Sequence, residues 1–459
     1  MDQAAYTFAP PLPLPFLAAG VGIAILLLVI ALRRAASIQA KFLILAIGLR
    51  VIFDAAAAFT LRPLPGGLTA NALLSVATVG IGLLLVPPRS LRAVLLVPFY
   101  LMIGLIGLSA LMNGFDMAAI QVIVKYAYFI AIFILAASAF AKEGANRTVA
   151  LIGLSLAPAV IFQLLSLVAG TANASPTDGS VAFIGGFNHE SIFSLVVATH
   201  LLLVCFSDRQ SPLMRLGVIL LLLVSLYLAN YRTVILGLLP LLGVFGIQFL
   251  AVLLPPRQRA LPLIAVAVIA AVGIAGVASD PEGRFGDAME MVRNPGELIR
   301  PPDSFTPEER RFASARALVW SQYWYGFAEA RGVQQIIGHG PDSWQSRFRV
   351  YAQNTFLSYL FEFGITGALA ITFAMTGMAL SSLRAPPVQR YRLVAAHFGF
   401  LLINLSTMPF WIVEGLIFYG LLCGLTVHYG WKGAPALTRP QAALQGRLAA
   451  NPKPAISGT

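Results

Sequence analysis

Apolar runs follow one another along almost the whole chain, and polar residues collect in the short connections between them. A helix rises about 1.5 Å per residue, so roughly 20 apolar residues cross a hydrocarbon core of about 30 Å. The pattern predicts an all-α fold, a polytopic transmembrane helical bundle. The predicted spans are 14–32, 42–60, 70–86, 93–112, 117–140, 148–170, 188–206, 215–230, 233–254, 261–278, 354–383, 393–409 and 414–431.

Composition supports a membrane protein. The chain is 58% hydrophobic and 11% charged, whereas soluble domains carry about 25% charged residues. Cys205 and Cys423 both lie inside apolar runs, so neither a disulfide framework nor a zinc cluster is expected. We therefore treat residues 1–459 as one membrane domain, and we expect no metal site and no cofactor.

The basic residues behind the net charge of +12 lie mostly on one side of the predicted membrane spans. Alternate connections carry nearly all the basic residues near the spans, namely Arg33, Arg34, Lys41, Arg89, Arg92, Lys142, Arg147, Arg209, Arg215, Arg257, Arg259, Arg384, Arg390 and Arg392. The short connections on the opposite side carry only Arg62 and Arg232. Under the positive-inside rule the basic side faces the cytoplasm, so this charge does not indicate nucleic acid. We expect residues 432–459 to form a disordered cytoplasmic tail.

One long connection, residues 279–353, separates the first ten spans (14–278) from the last spans (354–431). A loop of this length is usually functional or disordered. We expect a loop on the outside, opposite the basic side, with an irregular linker, an amphipathic helix over 310–330 and a turn-rich "GHGPDSW" at 338–344. The helix follows a start signal at Thr306, and its apolar face would carry Phe312, Val319, Trp320, Tyr323 and Phe327.

Ionisable residues inside spans are candidates for function. Arg50 and Asp54 lie four residues apart on one helix face, so they either neutralise each other or face a substrate. Lys125, eight residues into its span, either snorkels outward or faces a substrate. Together these charges could also line the path of a transporter.

Two arginines stand out on the loop side. Arg232 occupies a tight outside turn between apolar spans, as a snorkelling residue or as a ligand for an anion. Arg316 falls on the apolar face of the predicted loop helix and needs an anionic partner, either a loop acid such as Glu309 or Asp303, or a substrate. A planar guanidinium suits phosphate oxygens and could stabilise a departing diphosphate without a metal.

Other polar groups lie near the same side. His189 in "GGFNHES" and His339 in "GHGPDSW" could act as bases, although either could be an ordinary loop histidine. Gln353 and Asn354 open the run that begins the last spans, and Glu362 lies about two turns further along. An unpaired polar group costs several kcal/mol in lipid, so Glu362 requires a partner that the sequence does not identify.

Four stretches, in order, resemble the O-antigen ligase and Wzy-type polymerase superfamily of bacterial inner membranes. They are "GGFNHESIFSLVV", "ANYRTVILGLLP", "SARALVWSQ" with "IIGHGPDSW", and "QNTFLSYLFEFGITGALA", which together cover about residues 180–370. The resemblance implies about a dozen spans, hence 12–13 in all, and a multi-pass enzyme of the inner membrane. It also implies metal-independent transfer of a glycan from undecaprenyl diphosphate to an acceptor hydroxyl at the periplasmic face.

One departure from the family pattern affects the predicted function. Ligases of the superfamily carry a histidine where this chain has Gln353, and glutamine cannot take up a proton. This favours a polymerase of surface polysaccharide, O-antigen or exopolysaccharide, over a ligase to lipid A core or another acceptor. A flippase of lipid-linked glycan, with Arg50, Asp54 and Lys125 along its path, is the alternative from another class.

The predicted site has two parts. Arg232, Arg316 and His339 are the predicted catalytic residues, the last as base unless His189 takes that role. The predicted substrate-binding residues are Gln353, Asn354, Glu362, Asn188, His189, Lys125 and Arg50. The expected partners are the lipid-linked donor, a glycan acceptor, the bilayer and a chain-length regulator or other polysaccharide assembly protein, with no nucleic acid.

Overall fold

The structure, a computed structural model, describes residues 9–65, 67–174, 181–208, 211–268, 296, 298–306, 309 and 315–431. Almost all the regular structure is helical. The α-helices are α1 (Leu14–Arg34), α2 (Ile38–Ala55), α3 (Ala57–Thr60), α4 (Ala70–Leu85), α5 (Val97–Asn113), α6 (Met117–Glu143), α7 (Ala145–Leu156), α8 (Pro158–Val168), α9 (Glu190–Cys205), α10 (Pro212–Leu228), α11 (Arg232–Leu253), α12 (Arg316–Ala328), α13 (Val333–Ile337), α14 (Thr355–Ser381), α15 (Pro387–Ser406) and α16 (Val413–Gly430). A ribbon of two short strands, β1 (Asn173–Ala174) and β2 (Val181–Ala182), precedes α9.

The all-α, polytopic architecture predicted from hydropathy is confirmed. Seven helical segments of the described chain are long and apolar enough to cross a membrane, and α4, α9 and α10 are shorter apolar helices. The predicted span 148–170 consists of α7 and α8, which meet at Pro158, a residue without a backbone N–H to continue the ladder. The predicted tenth span begins as a helix over 261–268, while its remainder and the tail 432–459 lie outside the described residues.

Small residues bring the central helices together. α16 is almost entirely enclosed and packs along α6. A side chain at Gly420 or Gly424 would come within 2.8 Å of Ile132 or 2.7 Å of Ala136. Similarly, a Cβ atom on Gly399 of α15 would lie 2.0 Å from the Gly237 carbonyl of α11. Close backbone approach replaces the hydrophobic effect as the packing force between helices in lipid.

α14 is broken in its middle. Gly364 has φ 66° and ψ −166°, a conformation that is essentially restricted to glycine. The break leaves the Phe361 and Glu362 carbonyls without helical partners, and they accept the backbone N–H groups of His339 and Gly340 at 3.1 and 3.0 Å. The predicted turn-rich segment 338–344 therefore docks against the break in this helix.

The predicted loop helix is partly described. α12 begins at Arg316, after Ala315 in the left-handed region, and the predicted first turns at 310–314, with Phe312, lie outside the described residues. The predicted start signal forms a capping box: the Thr306 N–H donates to Glu309 Oε2 at 2.8 Å, and the Glu309 N–H donates to Thr306 Oγ1 at 3.3 Å.

Candidate functional site

Several helix ends meet at one end of the bundle, which we call the loop-side end: the first residues of α9, α11 and α14 and the last residues of α15. The Tyr231 hydroxyl donates to Thr407 Oγ1 at 3.0 Å, and Thr355 Oγ1 donates to the Thr407 carbonyl at 3.4 Å. The rings of His189 and Tyr231 lie 6.4 Å apart. Three of the four motifs thus meet here. The N-terminus of a helix presents unpaired N–H groups and partial positive charge, which favour an anion.

Backbone strain is concentrated at the same helix starts. The non-glycine residues with positive φ among those described are Asn230, Ala315, Asp342 and Gln353. Three of them lie one or two residues before Arg232, Arg316 and Asn354. The left-handed conformation costs roughly 1–2 kcal/mol for a residue with a Cβ atom, and such residues cluster at functional sites.

The two arginines begin helices at or near this end. Arg232 is the first residue of α11 and is half-buried. Arg316 is the first residue of α12 and is also half-buried, and its Nε atom is buried without a hydrogen-bond partner in the described structure. Burial raises the pKa of Tyr231, and the Arg316 guanidinium opposes this rise. Arg316 therefore acts electrostatically on the residue that directly precedes Arg232.

Among the described acids of the loop, neither Glu309 nor Asp303 forms the ion pair with Arg316 that was one of the predicted alternatives. The Glu309 carboxylate pairs instead with Arg300 at 2.6 Å. Within the described residues, Arg316 forms no salt bridge with an acidic side chain. Because the half-buried guanidinium has no acidic partner among the described residues, it can bind an anionic ligand.

His189 caps α9 through its ring. Its Nδ1 atom accepts the Ser191 N–H at 3.1 Å and lies 2.8 Å from Ser191 Oγ. A backbone N–H can only donate, so Nδ1 of the neutral ring is unprotonated and Nε2 carries the proton. The side chain is 47% exposed. His189 thus presents a hydrogen-bond donor rather than a free base.

Glu190 is a functional candidate that the sequence analysis missed. Its carboxylate accepts a hydrogen bond from Asn173 Nδ2, lies 3.6 Å from His189 Nδ1 and interacts electrostatically with Tyr231. Its side chain is 20% exposed. An acid in the first turn of a helix is common, because it suits the helix dipole, so the sequence offered no signal that distinguishes it.

His339 lies in a tight environment beneath α12. Its Nε2 atom is 3.5 Å from Arg347 Nη1, its ring centroid is 4.6 Å from that of Phe361, and it is 8% exposed. Burial and then the Arg347 charge lower the pKa of His339, while a hydrogen bond with the Gly326 carbonyl opposes this shift. The residue is neutral at physiological pH and its ring is held by α12 and α14.

Gln353 and Asn354 differ in what they offer. Both ends of the Asn354 amide are used: Oδ1 accepts the Phe356 and Leu357 N–H groups at 2.9 and 3.1 Å, and Nδ2 donates to the Leu405 carbonyl at 3.0 Å. Asn354 is therefore a helix cap that positions α14. The Gln353 side chain is half-buried and makes no hydrogen bond with the residues described.

The partner of Glu362 is the docked loop. The carboxylate is fully buried, Oε2 accepts the Asp342 N–H at 2.7 Å, and Oε1 accepts the Ser358 hydroxyl at 2.7 Å. Ser109 Oγ of α5 also donates to the Glu362 carbonyl at 3.1 Å. Glu362 therefore holds the segment that contains His339 against α14.

The charges deeper in the bundle form a separate cluster. Arg50 Nε lies 3.1 Å from Asp54 Oδ1, the ion pair that was one of the two alternatives for these residues, and 2.6 Å from Glu414 Oε1, which the sequence did not indicate. Lys125 Nζ lies 5.7 Å from the Trp411 ring and interacts electrostatically with Glu362 and Glu414. Arg50 is thus enclosed by two carboxylates.

Two further observations complete the site. Asn188 is half-buried beside His189 and makes no side-chain hydrogen bond within the described ranges. In the same ranges, no group of three or more His, Cys, Asp or Glu side chains is arranged to hold a metal ion.

These features define an all-α, multi-pass membrane protein with two arginines and several strained helix starts in its loop-side half. Residues 217–372 match the sequence model of the O-antigen ligase family, and this region includes Arg232, Arg316, His339 and Gln353. The match over these residues supports the superfamily indicated by the motifs and an O-antigen ligase or polymerase-like role in polysaccharide assembly. No curated protein matches the chain.

Proposed function

We propose that this protein is a metal-independent glycosyltransferase of the bacterial inner membrane. It would polymerise undecaprenyl-diphosphate-linked repeat units of a surface polysaccharide at the periplasmic face. The observation that carries the proposal is that the half-buried guanidinium of Arg316 forms no ion pair in the described structure. The same group interacts electrostatically with Tyr231, which directly precedes Arg232. Two guanidinium groups near helix N-termini suit the head group of a lipid diphosphate.

In the proposed reaction, an acceptor hydroxyl attacks the anomeric carbon of the donor sugar. A glycosidic C–O bond forms as the bond from that carbon to the diphosphate oxygen breaks, and the leaving undecaprenyl diphosphate takes the electron pair. Arg232 and Arg316 stabilise the charge that develops on it, without any change in their own protonation. The anomeric carbon inverts, because attack is opposite to the leaving group.

The hydroxyl proton needs an acceptor, and we propose Glu190. Its carboxylate is partly exposed and acts on Tyr231, at the site of the arginines. His189 is the weaker candidate, since Nδ1 already accepts the Ser191 N–H. His339 is largely enclosed by protein groups. We therefore expect His189 to donate from Nε2 to a substrate oxygen and His339 to position the loop.

The amides of Gln353 and Asn188, which make no side-chain hydrogen bond with described residues, would bind the glycan acceptor, because a primary amide can both donate to and accept from sugar hydroxyls. Asn354 and Glu362 would position this surface through the contacts described above. Lys125, which interacts electrostatically with Asp342 of the docked loop and with Glu362, would attract the donor electrostatically. Arg50, paired with Asp54 and Glu414, would stabilise the packing of the helices.

A ligase that transfers the glycan to lipid A core or another acceptor is the second candidate, favoured by the description of the matching family. Gln353, which cannot act as a base, favours the polymerase. A flippase that uses Arg50 and Asp54 has less support, because Arg50 is already paired with Asp54 and Glu414.

The decisive experiment incubates the purified protein in detergent with a lipid-linked repeat unit and resolves the products by length. Wild-type protein should produce longer lipid-linked chains. Arg232→Ala and Arg316→Ala should each reduce the rate by about 10²-fold or more, as expected when a charge that stabilises a transition state is removed. Arg331→Ala, an exposed arginine of the same loop, is the matched control and should retain activity.

The other outcomes separate the alternatives. Full activity in both arginine variants would refute the diphosphate site. Transfer only to an added lipid A core acceptor would indicate the ligase. Movement of a fluorescent lipid-linked glycan across proteoliposomes with no new covalent product would indicate the flippase. Within the transferase, Glu190→Gln should lower the rate by about 10²–10⁴-fold if Glu190 is the base, and equal rates would exclude that role.

A further inference from the structure

The short loop helix α13 exposes an apolar face without a partner in the described chain. Val333 and Ile336 are 53% and 54% exposed, although Ile337 between them and the docked loop is buried. An exposed pair of large aliphatic side chains that continues into further apolar surface marks a contact with a membrane or with another protein. The position of this pair relative to the membrane spans distinguishes the two.

α13 is attached to α14 at the break. Thr366 Oγ1 donates to the Ile336 carbonyl at 2.7 Å, and a Cβ atom on Gly364 would lie 2.3 Å from the same oxygen. Ile336 is therefore level with residues 364–366 of the transmembrane helix.

The same level lies about one hydrocarbon thickness from the basic end of α14. From Ile365 to Arg384, at the basic end of the helix, the chain rises about 30 Å, which is the thickness of the hydrocarbon core. Along this part of α14, large apolar side chains are exposed mostly at four-residue spacing, namely Ile365 (47%), Leu369 (64%), Phe373 (65%) and Leu380 (59%). We expect this exposed apolar stripe to be the lipid-facing side of the helix, and it begins where α13 docks.

The neighbouring helix continues the apolar surface. At the end of α5, Met112 is 60% exposed and Phe115 is 53% exposed. The adjacent Asn113 donates from Nδ2 to the Gly338 carbonyl at 3.1 Å, directly after α13. We name Met112, Phe115, Val333, Ile336 and Ile365 together the apolar collar.

We propose that the apolar collar is a membrane anchor, in which Val333 and Ile336 insert into the acyl chains of the leaflet on the loop side. The occupant is the bilayer, because the collar is continuous with the lipid-facing stripe of α14 and lies at its upper limit. The first part of α14, with Glu362, then stands in the head-group region, covered by the docked loop. The bilayer thus fixes the depth of the loop that follows α12.

Single-cysteine labelling tests this proposal directly. The two native cysteines, Cys205 and Cys423, are both buried, so a new exposed cysteine can be labelled selectively. Val333→Cys and Ile336→Cys carry a polarity-sensitive fluorophore in the full-length protein, in nanodiscs of phosphatidylethanolamine and phosphatidylglycerol. Quenching is compared between lipids spin-labelled in the acyl chain and aqueous iodide. Because both side chains are exposed, the substitutions should not disturb folding, which size-exclusion chromatography checks.

Two control positions calibrate the scale. Leu369→Cys on the lipid-facing stripe defines the full response to the spin-labelled lipid, and Glu329→Cys, an exposed loop residue, defines the aqueous response. Quenching of the labels at Val333 and Ile336 by spin-labelled lipid should lie in the upper half of the range between the Glu329 and Leu369 controls. A response in the lower half, or iodide quenching equal to that at Glu329, would overturn the proposal. Shielding from both quenchers would mean that a second copy covers the face, and would also overturn it.

Discussion

Replacing Gly364 by alanine should disrupt the contact on which the loop-side end is built. The glycine has φ 66° and ψ −166°, and an added Cβ atom would come within 2.3 Å of the Ile336 oxygen and 2.4 Å of its carbonyl carbon. The obstacle is backbone, so no side-chain rotation can relieve it. Either α13 must move away or the break must close.

The magnitude follows from two terms. A non-glycine residue in such a backbone conformation costs about 1–3 kcal/mol, and forcing extra volume into a packed contact costs about 1–3 kcal/mol more. We therefore expect Gly364→Ala to lower the free energy of unfolding by about 2–6 kcal/mol. Any relaxation would displace the loop that Glu362 holds, so transferase activity should also fall.

The assay compares thermal unfolding in detergent at a single scan rate, followed by tryptophan fluorescence, with chain extension measured well below both melting temperatures. Gly377→Ala in the same helix is the matched control, because its Cβ atom would have no neighbour within 4 Å. Within a helix that substitution should be neutral or stabilising by about 0.5–1 kcal/mol. Equal melting temperatures for Gly364→Ala and Gly377→Ala would refute this account of the break.

Three further predictions concern groups whose partners are known. Asn354→Ala should destabilise the protein by about 1 kcal/mol through loss of the cap, whereas the variant Asn354→Asp should retain the cap; equal melting temperatures for the two variants would contradict this role. Arg50→Met leaves Asp54 and Glu414 as buried carboxylates without their cation, and should cost about 3–5 kcal/mol in unfolding experiments; a loss below about 1 kcal/mol would mean that the cluster is not buried in the membrane. Because the pKa of His339 is lowered on folding from its ordinary 6.5, the unfolded chain binds more protons below that value. Stability should therefore fall as the pH drops below about 6.5, and His339→Gln should remove this part of the pH dependence in thermal unfolding; an unchanged pH dependence would contradict it.

Fold class was predictable because it depends on local information. A run of apolar residues selects a helix in lipid whatever lies beside it, since every backbone N–H and C=O must be satisfied within the segment. The predicted spans therefore overlap observed helices wherever both are described, and seven helical segments of the described chain are long and apolar enough to cross a membrane. The capping box at Thr306 and Glu309 was predictable for the same reason: both partners lie within one turn.

The candidate site was only partly predictable. Arg232 and Arg316 stand out in the sequence because a charge in an apolar pattern requires a reason. In contrast, Glu190 and Tyr231 follow ordinary patterns for a helix start, and only contacts between α9, α11 and α15 reveal them. Asn354, expected to bind substrate, has its amide committed to a cap and to Leu405.

By itself, the sequence determined the all-α membrane class, the unusual arginines and the resemblance to the superfamily. Only the tertiary structure decided which polar groups are satisfied. Glu362 finds its partner in the Asp342 N–H, and Arg50 finds Glu414 far along the chain. The reason is physical: hydropathy acts on each helix against its solvent, whereas a buried hydrogen bond or ion pair depends on which distant helices become neighbours.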